Sequence, residues 1–396
     1  MQRRDNPYTP GAGRKPPHLA GRDRDLEDFS SLTEMLSGGG ADRSLIYYGL
    51  RGVGKTVLLM EIDLLASEAG WATTDVQEVG SQPDFRSTFA QMASRLLREM
   101  SRRHRMKDRV ERALGVVKAF SVVTPGGVQL KLDVAAATGI ADSGDPEQDL
   151  VDLLREIGET ARSAGSGALF LVDEMHNLDA SSLAAVCMAL QAVSRDALPV
   201  ALVGAGLPDL QVRLMKAKPY ADRLFEYREL GRLRDAEARV ALVKPAAGLG
   251  VEFSRDAAIE VVRLAAGYPY FLQEYGRELW NAVESSPITM RDVEEVRELV
   301  KEQLARTFYG PRFDMASDAE QRYLAAMASL GDAPYSTAEV SRRWGAENQR
   351  QTSPHRDNLL QKGLIWSPTR GQIDFTVPLF AEFLREHHPI GGFDDA

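Results

Sequence analysis

Short apolar runs alternate with longer amphipathic stretches between about residues 21 and 230. The runs Ser44–Tyr48, Trp71–Val79, Ala168–Asp173, Val200–Gly204 and Phe225–Leu230 read as strands. Strands separated by helical patterns predict crossover units and a parallel sheet, hence an α/β domain. Ala168–Asp173 is apolar up to its last residue, as suits a strand covered on both faces. From about residue 231 to 310 the period is helical throughout. Leu233–Val243, Ser254–Ala266, Tyr270–Glu284 and Thr289–Thr307 read as four helices. Three more helices follow from about residue 314: Asp318–Leu330, Ser336–Trp344 and Ser353–Gly363. Ser336 or Thr337 caps the second; Ser353 caps the third, with Pro354 in its first turn and Gly363 closing it. Leu364–Trp366 and Gln372–Val377 flank a Ser-Pro-Thr-Arg-Gly turn and read as a hairpin, and Pro378–His387 as a last helix. Three helices and a hairpin are the plan of a winged helix.

These patterns divide the chain into a polar arm over residues 1–20, expected to be disordered, a sheet domain over 21–230, a helical segment over 231–313 and a winged-helix domain over 314–390. One stretch breaks the alternation. Arg95 to Lys118 holds nine Lys/Arg against three Asp/Glu, and two β-like runs around a Pro-Gly-Gly turn follow within Ser121–Asp133. Residues 95–146 therefore read as a basic helix and hairpin inserted in the sheet domain. Its charge fits either a solvated helix face or a second DNA-facing element, and a solvated face is the commoner meaning of such a run.

Composition narrows the function classes. Hydrophobic residues make up 44% and charged residues 27%, which suits a globular chain. No apolar run approaches the ~18 residues of a membrane span, and the polar N-terminus lacks the apolar core of a signal peptide. Cys187 is the one cysteine, which excludes an internal disulfide and fits a reducing cytoplasm. The six histidines show no ligand spacing. A net charge of -9 argues against a nucleic-acid footprint over the whole molecule, so any such contact needs a local patch.

The most specific signal is Gly49 to Thr56, which reads G-L-R-G-V-G-K-T between an apolar strand and a helical run starting at Val57. It matches the phosphate-binding loop pattern in its required strand–loop–helix context. Gly49, Gly52 and Gly54 let the backbone N–H groups of Arg51, Val53 and their neighbours turn inward around phosphates, and the helix N-terminus adds partial positive charge. Lys55 is then placed for the β- and γ-phosphates and the Thr56 hydroxyl for Mg²⁺. Asp173 and Glu174 end the strand Ala168–Asp173 as a carboxylate pair. Asp173 suits Mg²⁺ or its waters, and Glu174 suits polarising an attacking water as general base.

With these two motifs, the helical segment and the C-terminal domain, the chain resembles the AAA+ superfamily of P-loop ATPases. Within it, the likeness is to the archaeal-type, origin-recognition-like branch, close to the STAND signalling ATPases. The resemblance covers nearly the whole chain from about residue 20 and makes the helical segment a lid. It implies an ATPase with ATP and Mg²⁺ as cofactors. It implies that Gly21 and Arg22, in Leu19–Leu26, contact adenine, where a plain helix N-terminus is the other reading. It implies that Arg223, in Tyr220–Phe225, is an arginine finger acting on a neighbouring subunit of a homo-oligomer. An ion pair of Arg223 with Asp222 or Glu226 is the other reading. Two departures stand out. The strand ending Val203 to Pro208 lacks the polar residue usual at sensor 1. Gly267-Tyr-Pro269 replaces the usual sensor 2 context, so that Tyr270 takes the arginine's place and Pro269 approaches the nucleotide as in the STAND branch. Both suit slow turnover and a switch that reports ATP or ADP.

In DNA-binding winged helices the third helix enters the major groove. Here it offers His355, Arg356, Asn358 and Lys362, and the wing tip offers Arg370. Residues 341–370 carry six Lys/Arg and two Asp/Glu, which suits phosphate contacts. Two functions follow: an ATP-dependent switch associated with double-stranded DNA, or a signalling regulator whose winged helix makes protein or intramolecular contacts.

Overall fold

The computed structural model describes residues 3–11, 13–80, 84–104, 107–122 and 132–393. The chain enters through α1 (Asp23–Ser37) and alternates β1 (Ser44–Tyr48), α2 (Lys55–Glu68), β2 (Ala72–Glu78), α3 (Asp84–His104), α4 (Lys107–Val122) and α5 (Pro146–Ala164). It continues through β3 (Ala168–Asp173), α6 (Ala180–Arg195), β4 (Val200–Gly206), α7 (Leu210–Ala217), α8 (Ala221–Leu224) and β5 (Phe225–Glu229). The five strands form one sheet in the order β2-β3-β4-β1-β5, and each neighbouring pair is parallel. Every residue of β3 and β4 is buried, as apolar runs covered on both faces require. The strand pattern read from the sequence recovers all five strands.

The inserted stretch is two helices. The basic run is shared between α3 and α4, whose apolar residues join the core on one side of the sheet. The hairpin expected next lies largely outside the described residues. A buried pair anchors the insertion: Arg86 Nη2 donates to Asp149 Oδ2 at 2.5 Å, with the two side chains 4% and 0% exposed. Arg86 also donates to Phe120 O and lies over its ring, while Asp149 accepts from the Ser143 N–H and hydroxyl. α3, α4 and α5 thus meet at one satisfied charge pair, the condition under which a buried pair is tolerated.

The lid is α9 (Asp235–Ala247), α10 (Arg255–Leu264), α11 (Pro269–Ala282) and α12 (Met290–Leu304). The last was expected to run to Thr307. Instead it widens into a π-turn at Ala305–Tyr309, followed by α13 (Gly310–Asp314) with a proline in its first turn. Pro311 has no N–H to continue the helical ladder, so the chain re-registers there.

The C-terminal domain is α14 (Asp318–Ala328), β6 (Tyr335–Ser336), α15 (Thr337–Trp344), α16 (Gln349–Gln361), β7 (Ile365–Trp366), β8 (Gln372–Phe375) and α17 (Phe380–His387). β8 lies between β6 and β7, antiparallel to both. The elements follow in the expected order, with one boundary corrected. α16 starts at Gln349, capped by the Asn348 side chain, which accepts from Arg350 N at 3.1 Å. Ser353 is no cap; its hydroxyl donates to Gln349 O at 2.8 Å, and Pro354 sits inside the helix. Asparagine is among the strongest N-caps, which sets the helix start at Gln349.

The arm expected to be disordered is also corrected. Tyr8 is 3% exposed and donates its hydroxyl to Leu242 O. It lies on α11 where a methyl on Gly276 would come within 2.4 Å of its ring, so only glycine admits it. Asn6 and Thr9 bond to Asn281 and Gln273 of the same helix, and Lys15 pairs with Glu61 of α2 at 2.5 Å. The buried tyrosine and these polar contacts order a segment whose composition alone reads as coil. Among the described residues no helix is long and apolar enough to cross a membrane.

Candidate functional site

β1 delivers the chain into a glycine turn whose Gly52 and Gly54 have φ of 78° and 92°, in the left-handed region that glycine enters without strain. α2 starts at Lys55 with no side-chain cap, so its first backbone N–H groups are available to an anion. Lys55 is 6% exposed and donates to Gly49 O at 3.0 Å and Leu50 O at 2.9 Å. Burial pushes its ammonium down to about 8, against the opposing pull of Glu174 and Asp173. A cation so held, with only carbonyl oxygens for partners, is poised for a better anion.

β3 brings two carboxylates to the same end of the sheet. Thr56 Oγ1 donates to Asp173 Oδ2 at 2.5 Å across the β1–β3 gap. Their oxygens fit Mg²⁺, a hard cation that takes one or two protein groups and completes its shell with water and phosphate. Glu174 turns away at φ 49°, a left-handed conformation unusual for this residue type. The turn points its carboxylate into the cleft, 3.9 Å from the Arg51 guanidinium and 3.2 Å from His176 Nε2. Burial raises the Glu174 carboxyl above its ordinary value, partly offset by Arg51 and Lys55.

His176 orients that carboxylate. Its Nδ1 accepts the Leu207 N–H at 3.3 Å, which leaves the proton on Nε2, facing Glu174. Burial, then Arg51, Lys55 and Arg213, push the ring down to about 3, so it stays neutral. His176 was not foreseen from the sequence, where the six histidines show no ligand spacing and nothing marks a ring two residues beyond Glu174.

A cleft of about 620 Å³ opens over the loop. Its lining includes the apolar Leu19, Ala20, Leu233 and Ala241, together with Lys55, Thr56, Glu174, and Pro269 and Tyr270 of α11. Arg51, Gly52, Val53, Gly54 and Val57 also line it. Arg22 is 8% exposed and donates to Val53 O at 3.0 Å and to Gly231 O at 3.1 Å, tying the loop to the start of the lid. Gly21 precedes it with φ 68°. Thr9, Gly13 and Arg14 of the arm line the cleft as well, as does Arg312 of α13. None of these four was foreseen, because arm and α13 lie far from the motifs in sequence.

Other expected residues fall elsewhere. Arg223 is exposed in α8, just before β5, 3.9 Å from Asp222. Phe225 pairs with Ser44, so Arg223 stands at the end of the sheet opposite the loop and does not reach this chain's own cleft. On α16, Lys362 donates to Glu320 Oε2 at 2.5 Å and to Met315 O at 2.8 Å, and Arg356 donates to Asp357 at 2.9 Å. The His355 ring lies 5.5 Å from Trp344. Arg370 is exposed at the hairpin turn.

Residues 18–203 match the family model of the AAA ATPase domain, and residues 306–384 match a domain of unknown function (DUF8462). No curated protein matches the chain. Among solved structures, the Walker-type ATPase paby2304 of Pyrococcus abyssi is 14% identical with a TM-score of 0.50, over 93% of this chain and 96% of that one. Orc1 of Aeropyrum pernix, solved in complex with DNA, is 18% identical with a TM-score of 0.44, over 95% of each chain. A RuvB mutant of Thermotoga maritima is 16% identical with a TM-score of 0.44, over 93% and 96%. At such identities the likeness concerns the fold alone.

Proposed function

We propose that this chain, which carries an AAA ATPase domain over residues 18–203, is a slow, cytoplasmic MgATP-dependent switch whose C-terminal domain reads the state of the phosphate loop. In this reading the N-terminus of α2 and Lys55 take the β- and γ-phosphates. Thr56 and Asp173 hold Mg²⁺, which neutralises phosphate charge. Glu174, held by His176, accepts the proton of the attacking water. Arg22 braces the loop beside the adenine end of the cleft. Arg223, exposed and remote, is left for a neighbouring copy of the chain in a homo-oligomer.

One observation carries the switch: the loop's Arg51 N–H donates to Thr376 O, just after β8, at 3.0 Å. The turn after α16 abuts the same place. A methyl on Gly363 would stand 3.2 Å from the Arg51 guanidinium and 2.9 Å from Leu207. Phosphate bound beside Arg51 therefore competes for, or reshapes, the surface on which the C-terminal domain rests. That supports intramolecular use of this domain over a free one. Amide hydrogen exchange, followed without nucleotide, with MgATP and with MgADP, tests it. Exchange across residues 363–377 is expected to differ several-fold between the ATP- and ADP-bound protein. Identical exchange at saturation with both would sink the switch.

A second reading keeps DNA as partner. Arg350 and Arg370 are exposed in the C-terminal domain and make no ion pair among the described residues, whereas Lys362 and Arg356 are engaged by carboxylates. Duplex binding followed by anisotropy across a salt series decides it. Each phosphate contact adds about 0.9 to the log–log salt slope. No salt-dependent binding with ATP, with ADP or without nucleotide excludes the DNA role.

A further inference from the structure

Arg312 ends a stack that begins on the phosphate loop. Gly52 O accepts the Tyr270 N–H at 3.3 Å. A methyl on Gly52 would lie 3.3 Å from Tyr270 Cβ and 3.9 Å from Phe308, so the absent side chain is what lets these rings down onto the loop. The rings of Tyr270 and Phe308 stack at 4.9 Å with 24° between planes. The Arg312 guanidinium lies 4.2 Å from the centre of the Phe308 ring and donates to Phe308 O. The π-turn at Ala305–Tyr309 makes this possible, since it re-aims Phe308 and the residue one turn on; such turns recur at functional positions.

Among the described residues no carboxylate lies within ion-pair distance of Arg312, although it lines the cleft with Lys55, Thr56, Arg51 and Glu174. Four other arginines of the lid are matched by carboxylates: Arg234 by Glu237, Arg263 by Glu260, Arg277 by Glu274 and Arg291 by Glu295. Burial lowers the Arg312 guanidinium, and the charged groups that act on it include Arg51 and Glu174, the carboxylate proposed to act on the attacking water. The same cleft is also lined by the apolar Leu19, Ala20, Leu233 and Ala241, which suit a base. An aromatic platform that holds a half-buried cation without an anion is a site waiting for one.

The geometry points to Arg312 as the group that reads the terminal phosphate, binding the γ-phosphate of ATP and nothing of ADP. This rests on the reading of the cleft as an ATP site. It also gives the signal a route. Tyr309, next to Phe308 on the π-turn, stacks on Phe383 at 5.0 Å and on Phe380 at 6.0 Å, both in α17 of the C-terminal domain. The match to the domain of unknown function begins at residue 306, so this cation and the domain it would inform fall in one unit. A γ-phosphate that draws Arg312 inward pulls on the segment that holds α17.

The test is calorimetric titration of MgADP and of the magnesium complex of a non-hydrolysable ATP analogue into wild type, Arg312→Gln and Arg312→Lys. Arg312→Gln is expected to weaken the triphosphate about 10- to 100-fold, the range for one charged hydrogen bond, and to leave MgADP within about twofold. Arg312→Lys keeps the charge and recovers part of the loss. Thermal unfolding of each variant separates a binding defect from a folding one, and Arg312→Lys carries the test if Arg312→Gln does not fold. Equal loss for both nucleotides, or no loss for either, overturns the assignment. Wild type that binds neither nucleotide overturns the ATP reading itself, a result distinct from any selective one.

Discussion

Glu174→Gln protein is expected to bind MgATP as wild type does and to release phosphate about 10²–10⁴-fold more slowly, the range for removing a general base. The amide keeps the shape of the carboxyl and can still accept from His176 Nε2, which lies 3.2 Å from Glu174 Oε2. It also keeps the left-handed turn, whose strain is set by the backbone. What it loses is basicity, which burial raises in the wild type and which suits a group that must take a proton from water near neutral pH. Phosphate release under saturating MgATP, beside binding of the same nucleotide, separates the two effects. Hydrolysis at the wild-type rate would remove Glu174 from the chemistry.

Lys55→Ala is expected to cost MgATP about 2–5 kcal/mol of binding, roughly 30- to 5,000-fold, as when one partner of a buried charge contact is deleted. Lys55 is nearly inaccessible and already faces the loop carbonyls of Gly49 and Leu50, so no other side chain can occupy its place. Its titration adds a sign that alanine cannot reproduce. Without nucleotide the ammonium titrates at about 8, because burial disfavours the charge. Phosphate favours the charged form, so binding near that pH takes up protons. Wild-type affinity should therefore be full below pH 8 and fall as pH rises through it, and Lys55→Ala should lose that dependence.

Much of this was legible in the residues, for identifiable reasons. β1, β3 and β4 are apolar runs bounded by turn residues and buried almost throughout, so burial and pattern coincide there. Gly49 to Thr56 and Asp173–Glu174 are contiguous signatures, and strand order brings them together. What stayed hidden depends on contacts between distant segments. Arg312 looks like any lid arginine until the π-turn and Gly52 place it over the loop. His176 gains its role only because Leu207 fixes its tautomer. The arm is polar and rich in proline and glycine, yet Tyr8 finds the one groove that Gly276 leaves open. Lys362 looks like a phosphate ligand on a basic stretch, but Glu320, buried under it, takes the charge first.

The central claim, that the cleft over residues 49–56 is an ATP site, is tested most directly by titrating MgATP into wild type and into folded Lys55→Ala protein by calorimetry. One MgATP per wild-type chain is expected, with proton uptake near pH 8, and a loss of at least about 30-fold in the variant. Equal affinity in the two proteins, or no heat of binding in the wild type, would contradict it.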